Sequence, residues 1–303
     1  MLKRSVIVFF LFFYINQFSQ NHVYDNESEL QKPIIFLKDL VSTDKVEFGG
    51  TFMPDGNTFY FIKSNADWGQ PKSKFEIHEI SFSEGKWNEP KPAFFSSKYS
   101  DAYPHVSADG RTIFFSSNRP LNNGGEKNDS DIWFVRKTEK GWGEPENLSV
   151  VNSSAEEMSP YTAVNGNLYF VSTRKGGYGL GDIYASKFEN GKYQQPANIG
   201  AEVNGKSGEW NLCISPDEKY IIFESSGRDD ALSPFGDLYI TYENNGEWSK
   251  PENIKLLNTT GSDLTPSISP NGKYLFYSSS NFLKNKNVDI YYIELNEIVK
   301  GSF

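Results

Sequence analysis

DAYPHVSADGRTIFFSSNRP, Asp101 to Pro120, consists of an extended segment, a tight turn and a second extended segment. Asp109-Gly110 lies between two apolar runs, where Asp-Gly signals a short hairpin because such turns need positive φ. Equivalent pairs stand at Asp55-Gly56, Asn165-Gly166, Asp217-Glu218 and Asn271-Gly272, roughly 54 residues apart, the period of a repeat architecture. Each is followed by a β-rich run: TFYFIKS, TIFFSSN, LYFVST, YIIFESS and YLFYSSS. A third strand follows at FEIHEI, DIWFVR, DIYASK, DLYITY and DIYYIE. A further turn at Gly85, Gly141, Gly191 and Gly246 leads to an aromatic and then a proline, as in Trp87/Pro90, Trp142/Pro145, Tyr193/Pro196 and Trp248/Pro251.

The fifth copy lacks this last piece, and the N-terminus supplies it, since Leu30 and Pro33 reproduce the spacing of Trp87 and Pro90. The reading is all-β: a five-bladed β-propeller of four-stranded antiparallel blades, closed by an N-terminal strand. Closure protects sheet edges that an open array leaves unpaired. No blade buries both faces alone, so residues 21–303 are expected to fold as one domain. An open β-solenoid is the runner-up, disfavoured by the four-strand unit and the N-terminal completion.

The pattern P-x-x-S-x-D-G-x-x-I-F-F-S-S, best seen in Pro104–Ser117, and G-G-x-G-x-x-D-I-Y, seen in Gly176–Tyr184, resembles the TolB-type, WD-like propeller repeats of exported bacterial envelope proteins. The resemblance implies a propeller over the whole mature chain; that fold serves binding scaffolds, protease caps and sugar lyases alike. It also carries a distant analogy to oligogalacturonate-lyase-type propellers.

The 303 residues include 30 basic and 39 acidic side chains, a net charge of −9, and 16% aromatics. Without a basic stripe the chain is a poor nucleic-acid binder. Lys3 and Arg4 precede an apolar stretch from Val6 to Tyr14, the pattern of a signal peptide over residues 1–20 and too short to span a bilayer. Cleavage there removes two basic residues, taking −9 to −11, and implies a periplasmic or secreted protein with no membrane span. Cys213 is the only cysteine, so no intrachain disulfide forms, and a monomer is expected.

Residues shared by every blade are expected to serve the blade. The carboxylates Glu47, Asp101, Glu157, Glu209 and Asp263 open each inner strand and read as bonds to loop amides, although such a ring also has the chemistry of a general acid and base. Asp131, Asp182, Asp237 and Asp289 likewise open third strands, and GGYGLGD lacks the Lys-Ser/Thr and helix of a phosphate loop. Departures from the repeat are the functional candidates. His105 shares a column with Thr51, Tyr161, Cys213 and Ser267; Tyr103 shares one with Gly49, Ser159, Asn211 and Thr265. His78 replaces the aromatic of Trp133, Tyr184, Tyr239 and Tyr291, while the third histidine, His22, lies in the N-terminal tail. Arg119, Arg174 and Arg228 end second strands, with Lys63 and Asn281 nearby in blades one and five. They read either as partners of the acidic ring or as a basic crown suited to carboxylate or sulfate groups.

Two functions follow. The first is an exported carbohydrate-active propeller that takes acidic, uronate-containing oligosaccharides at its channel mouth and acts by β-elimination, as a lyase or dehydratase. His105 or His78 is then the base, Tyr103 or Tyr161 the acid, and Arg119, Arg174, Arg228 and Lys63 hold the substrate. The analogous lyases use a multi-histidine metal site that two propeller histidines cannot reproduce, so no cofactor is expected and a divalent cation finds no support. The alternative is a non-catalytic TolB-like module for a saccharide or an envelope protein, with aromatics stacking on sugar faces. Trp133 and Trp210 fall in repeated columns and read as core. Glycoside hydrolysis ranks last, because no carboxylate is seen to stand out from its column. Serine hydrolysis lacks the G-x-S-x-G elbow.

Overall fold

Each turn pair folds as the sequence requires. Gly56, Gly110, Gly166 and Gly272 have φ of 71°, 66°, 89° and 70°, while Glu218 adopts φ 60° in the turn without glycine. The computed structural model describes residues 31–67, 70, 73–121, 127–280 and 287–299. The signal segment, His22, Leu30 and Asn281 lie outside the described residues.

The inner strands are Glu47–Phe52, Asp101–Val106, Glu157–Thr162, Gly208–Ile214 and Ser262–Ile268. Each pairs antiparallel with a second strand: Thr58–Ser64, Thr112–Ser117, Leu168–Ser172, Tyr220–Ser226 and Tyr274–Ser280. The third strands, Phe75–Ser83, Asp131–Thr138, Asp182–Ser186, Asp237–Asn244 and Asp289–Glu294, continue each sheet. Consecutive inner strands are neighbours in space, and the fifth adjoins the first, so the ring is closed.

The proline register locates the outer edge. Lys91–Pro92, Glu146–Asn147, Ala197–Asn198 and Glu252–Asn253 each begin one residue after a register proline and pair with their third strand. Ile34–Ile35, directly after Pro33, pairs with Tyr292 and Tyr291 of blade five. The N-terminal strand therefore completes the last blade, as the spacing predicts.

Period-two alternation gives each blade two apolar faces, and each interface between blades holds its own buried cluster. Phe115 and Trp133 pack against Tyr60 and Ile77 between blades one and two. Phe114 meets Leu168 and Phe170 between two and three, and Val171 meets Ile221 and Phe223 between three and four. Ile222 and Leu238 meet Leu275 and Ile293 between four and five. The closing interface is the most aromatic: Phe36 touches Phe52, Phe59, Phe276 and Tyr292 edge to face. Trp133 is core, as expected; Trp210 is half-buried, packs beside the cluster of blades three and four, and donates from Nε1 to Ser226 Oγ at 3.0 Å. Among the described residues no helix is long and apolar enough to cross a membrane.

Candidate functional site

Every inner strand slips register near its middle, between Phe48 and Thr51, Ala102 and His105, Met158 and Tyr161, Glu209 and Leu212, and Leu264 and Ser267. The slip places Gly49, Tyr103, Ser159 and Thr265 in the left-handed region, with φ from 51° to 58°. These four residues line a waist of about 30 Å³ at the centre of the ring. Non-glycine residues held there cost of order 1 kcal/mol each, a strain that clusters at functional sites. Blade four departs: its Asn211 is not left-handed, and its side chain donates instead to the buried Glu224.

The waist separates two mouths. One lies at the end where the acidic residues open the inner strands; the other lies at the inner hairpin turns.

At the acidic end the ring carboxylates are scaffold ligands. Thr43, Ser97, Ser153 and Thr259 donate backbone N–H and hydroxyl groups to Glu47, Asp101, Glu157 and Asp263. The arginines complete the same networks. Arg119 reaches Asp101 at 2.7 Å, Arg174 reaches Glu157 at 3.0 Å and Arg228 reaches Glu209 at 2.8 Å. Each guanidinium also stacks on two aromatic rings of its own blade, for example Arg119 on Phe115 and Trp133. Lys63 stands 3.8 Å from Glu47. The basic crown is thus engaged by the acidic ring, and its charges are spent within the blades.

His105 lies at the other mouth. It is buried, and its Nε2 accepts from the Thr162 N–H at 3.0 Å and bonds the Thr162 hydroxyl at 2.9 Å. Its ring packs against Tyr161 with centroids 3.9 Å apart and the planes tilted by 33°. Tyr161 crosses the channel, accepting from the Ile268 N–H of blade five at 3.2 Å. Burial lowers the His105 pKa to about 3, so the ring is neutral, and burial raises that of Tyr161. Tyr161→Phe removes the acceptor for a partly buried N–H and is expected to cost about 1–3 kcal/mol in chemical denaturation. Unchanged stability would show that the cross-channel bond holds nothing in place.

His78 joins neither mouth. It lies half-buried on the third strand of blade one, with Nε2 2.7 Å from Glu76 and its pKa lowered by burial. Of the four residues expected to be catalytic, Tyr103 and Tyr161 both line the waist, His105 packs on Tyr161 towards the hairpin mouth, and His78 lies apart on the flank of a blade.

The sequence reading overlooks Glu224. Its column otherwise holds Ile62, Ser116, Val171 and Ser278, so one carboxylate does stand out, contrary to expectation. Glu224 is 7% exposed, receives the Asn211 Nδ2–H, and has its pKa raised to about 8, first by desolvation and then by Asp263. Asn211 Oδ1, on the side chain that donates to Glu224, is buried without a protein partner, as is Ser116 Oγ in blade two. Tyr103 is the only aromatic residue in its column; its pKa is raised by burial and then by the charges of Glu224 and Glu156. Tyr103, Ser116 and Glu156 line a cavity of about 490 Å³ at the acidic mouth, together with Phe75, Lys74 and Lys127. Burial, then the charges of Asp129 and Glu157, raises the pKa of Glu156 too. Lys127 is paired with Asp129 and Asp131. Among the described residues no group of three or more His, Cys, Asp or Glu side chains is placed to hold a metal ion.

This architecture is that of a five-bladed propeller resembling TolB. The TolB structure from Acinetobacter baumannii superposes with a TM-score of 0.51 at 17% identity, over 82% of this chain and 54% of that one. The chain thus spans about half the length of that protein. An arabinanase from Bacillus subtilis superposes with a TM-score of 0.55 at 12% identity, over 84% of this chain and 96% of that one. The tricorn protease gives 0.50 at 14% identity, over 83% of this chain and 25% of that one. At these identities the likeness is one of fold. No protein-family model and no curated protein sequence matches the chain.

Proposed function

We propose that this chain is an exported carbohydrate-active propeller, acting in the periplasm or outside the cell, whose saccharide enters the acidic mouth and meets Tyr103 and Glu224. The observation that carries the reading is Glu224, a buried carboxyl that receives Asn211 Nδ2–H, has its pKa raised to about 8 by burial, and has no cation partner among the described residues. Sugar hydroxyls, which donate and accept at close spacing, suit the polar lining of the adjoining cavity, Ser100, Asn118, Ser130 and Glu156 among it, and Phe75 and Tyr103 offer ring faces for the pyranose.

In its catalytic form the proposal makes Glu224 the proton donor to the leaving oxygen, since a pKa near 8 keeps it protonated at neutral pH. Elimination through His105 is disfavoured, because that ring and the arginines lie on opposite sides of the waist. Titration calorimetry with neutral and uronate-containing oligosaccharides, followed by product mass, tests the reading. Saccharide binding weakened at least tenfold by Glu224→Gln and by Tyr103→Phe supports it. A change in product mass separates the enzyme from a binding module. Binding equal in both variants, or no binding to any saccharide, overturns it.

A second reading, a TolB-like module for an envelope protein, is favoured by exposed apolar side chains around the same face. Leu121, Tyr178, Leu180, Leu232 and Phe235 all lie in loops between second and third strands of blades two to four. A partner docked there is lost on Leu180→Ser with Phe235→Ser, changes that leave the saccharide site intact.

A further inference from the structure

The acidic mouth holds a second carboxyl that departs from the repeat. The residue before each ring carboxylate is Val46, Ser100, Glu156, Gly208 or Ser262, so Glu156 is the one charged residue in its column. Strand alternation turns Glu157 into the network of Ser153 and Arg174, and turns Glu156 the other way, with Met158. Glu156 and Met158 accordingly line the cavity of about 490 Å³, as Ser100 and Ala102 do in blade two.

The Glu156 carboxylate has no hydrogen-bond or ion-pair partner among the described residues, and neither oxygen is closed off from solvent. The other charges lining the cavity are engaged. Lys127 lies 3.1 Å from Asp129 and 2.7 Å from Asp131, and the Lys74 ammonium lies 3.5 Å from Lys98 O. Burial and then the charges of Asp129 and Glu157 raise the Glu156 pKa. Tyr103, on the same cavity, has its pKa raised by burial, then by Glu224 and by Glu156. The potential around Glu156 is therefore negative, which favours a cation and repels a uronate. An ammonium donates to such a carboxylate in short, charge-assisted hydrogen bonds.

We infer that Glu156 selects a saccharide carrying a free amino group, whose ammonium donates to the Glu156 carboxylate inside the acidic mouth. This selection rests on the saccharide reading and narrows it to an amino sugar.

Three disaccharides of one skeleton test this at neutral pH: cellobiose, the disaccharide of glucosamine and that of N-acetylglucosamine. They carry hydroxyl, ammonium and acetamide at the same carbon. Titration calorimetry on the intact protein is expected to show the glucosamine disaccharide bound at least tenfold more tightly than the other two. In Glu156→Gln the three are expected to bind alike, with a thermal unfolding midpoint no lower than that of the wild type, because the Glu156 carboxylate bonds nothing in the fold. Glu224→Gln is expected to weaken all three and to keep the preference. A preference for the amine that survives in Glu156→Gln overturns the inference. Equal binding of the three to the wild type overturns it too, while the saccharide reading stands. Binding of none of them overturns it as well, and only a failure of neutral and uronate-containing oligosaccharides besides brings down the saccharide reading itself.

Discussion

Arg119→Ala is expected to destabilise the protein by about 3–5 kcal/mol, the usual cost of leaving one half of a buried ion pair behind. Arg119 is buried, and its partner Asp101 is completely so. The guanidinium also bonds Ser117 Oγ and Phe95 O and stacks on Phe115 and Trp133. For a domain of this size the loss corresponds to a fall in Tm on the order of 10 °C in calorimetry. Lys63→Ala is the contrast. Its ammonium lies 3.8 Å from Glu47 and is partly exposed, so it is expected to cost under about 1 kcal/mol. Equal, small losses in both variants would mean that the crown is not bound into the blades.

Glu224→Gln is expected to stabilise the protein above neutral pH. The folded pKa is raised from 4.5 to about 8 by burial, so the folded state keeps a proton that the unfolded chain gives up. Below pH 4.5 both states are protonated and the residue costs nothing. As pH rises from there to about 8, the unfolded state gains by ionising and stability falls, by up to about 4–5 kcal/mol at the conversion of 1.36 kcal/mol per unit. Glutamine still accepts from Asn211 but cannot ionise. Urea titrations at pH 4.5 and pH 8.5 check this: the two proteins should agree at the lower pH, with the variant the more stable at the higher. A wild type that gains stability relative to the variant over this range would mean that Glu224 is ionised and compensated in the fold.

The scaffold was legible because each of its parts repeats. Asp-Gly and Asn-Gly pairs mark the inner hairpins, and the prolines at 33, 90, 145, 196 and 251 each stand one residue before an outer segment. Even the closing strand could be placed by spacing alone. The His105 column is a true structural equivalence, since Thr51, His105, Tyr161, Cys213 and Ser267 all pair with corresponding second-strand residues, whereas the Tyr103 column keeps one backbone conformation in four blades and loses it at Asn211.

The depth of each column in the channel was less legible. Tyr103 and His105 are two residues apart, yet across the register slip Tyr103 lines the waist and the acidic-mouth cavity while His105 lines the hairpin-mouth cavity. The meaning of the arginines could not be decided from sequence, because Arg119 and Asp101 meet only through the strand pairing that brings Ser117 opposite Asp101. Glu224 could have been found. In YIIFESS it interrupts a run whose equivalents are Ile62, Ser116, Val171 and Ser278, but its position inside a repeated strand hid it among the scaffold.

The central claim is that Glu224, as a neutral carboxyl, meets a saccharide at the acidic mouth. Its most direct test is the pH dependence of saccharide affinity in the wild type and in Glu224→Gln. The account predicts wild-type affinity that is constant at low pH and falls as pH passes about 8, with a weaker, pH-independent affinity in the variant. Wild-type affinity that stays level through this range, or the same fall in the variant, would contradict it.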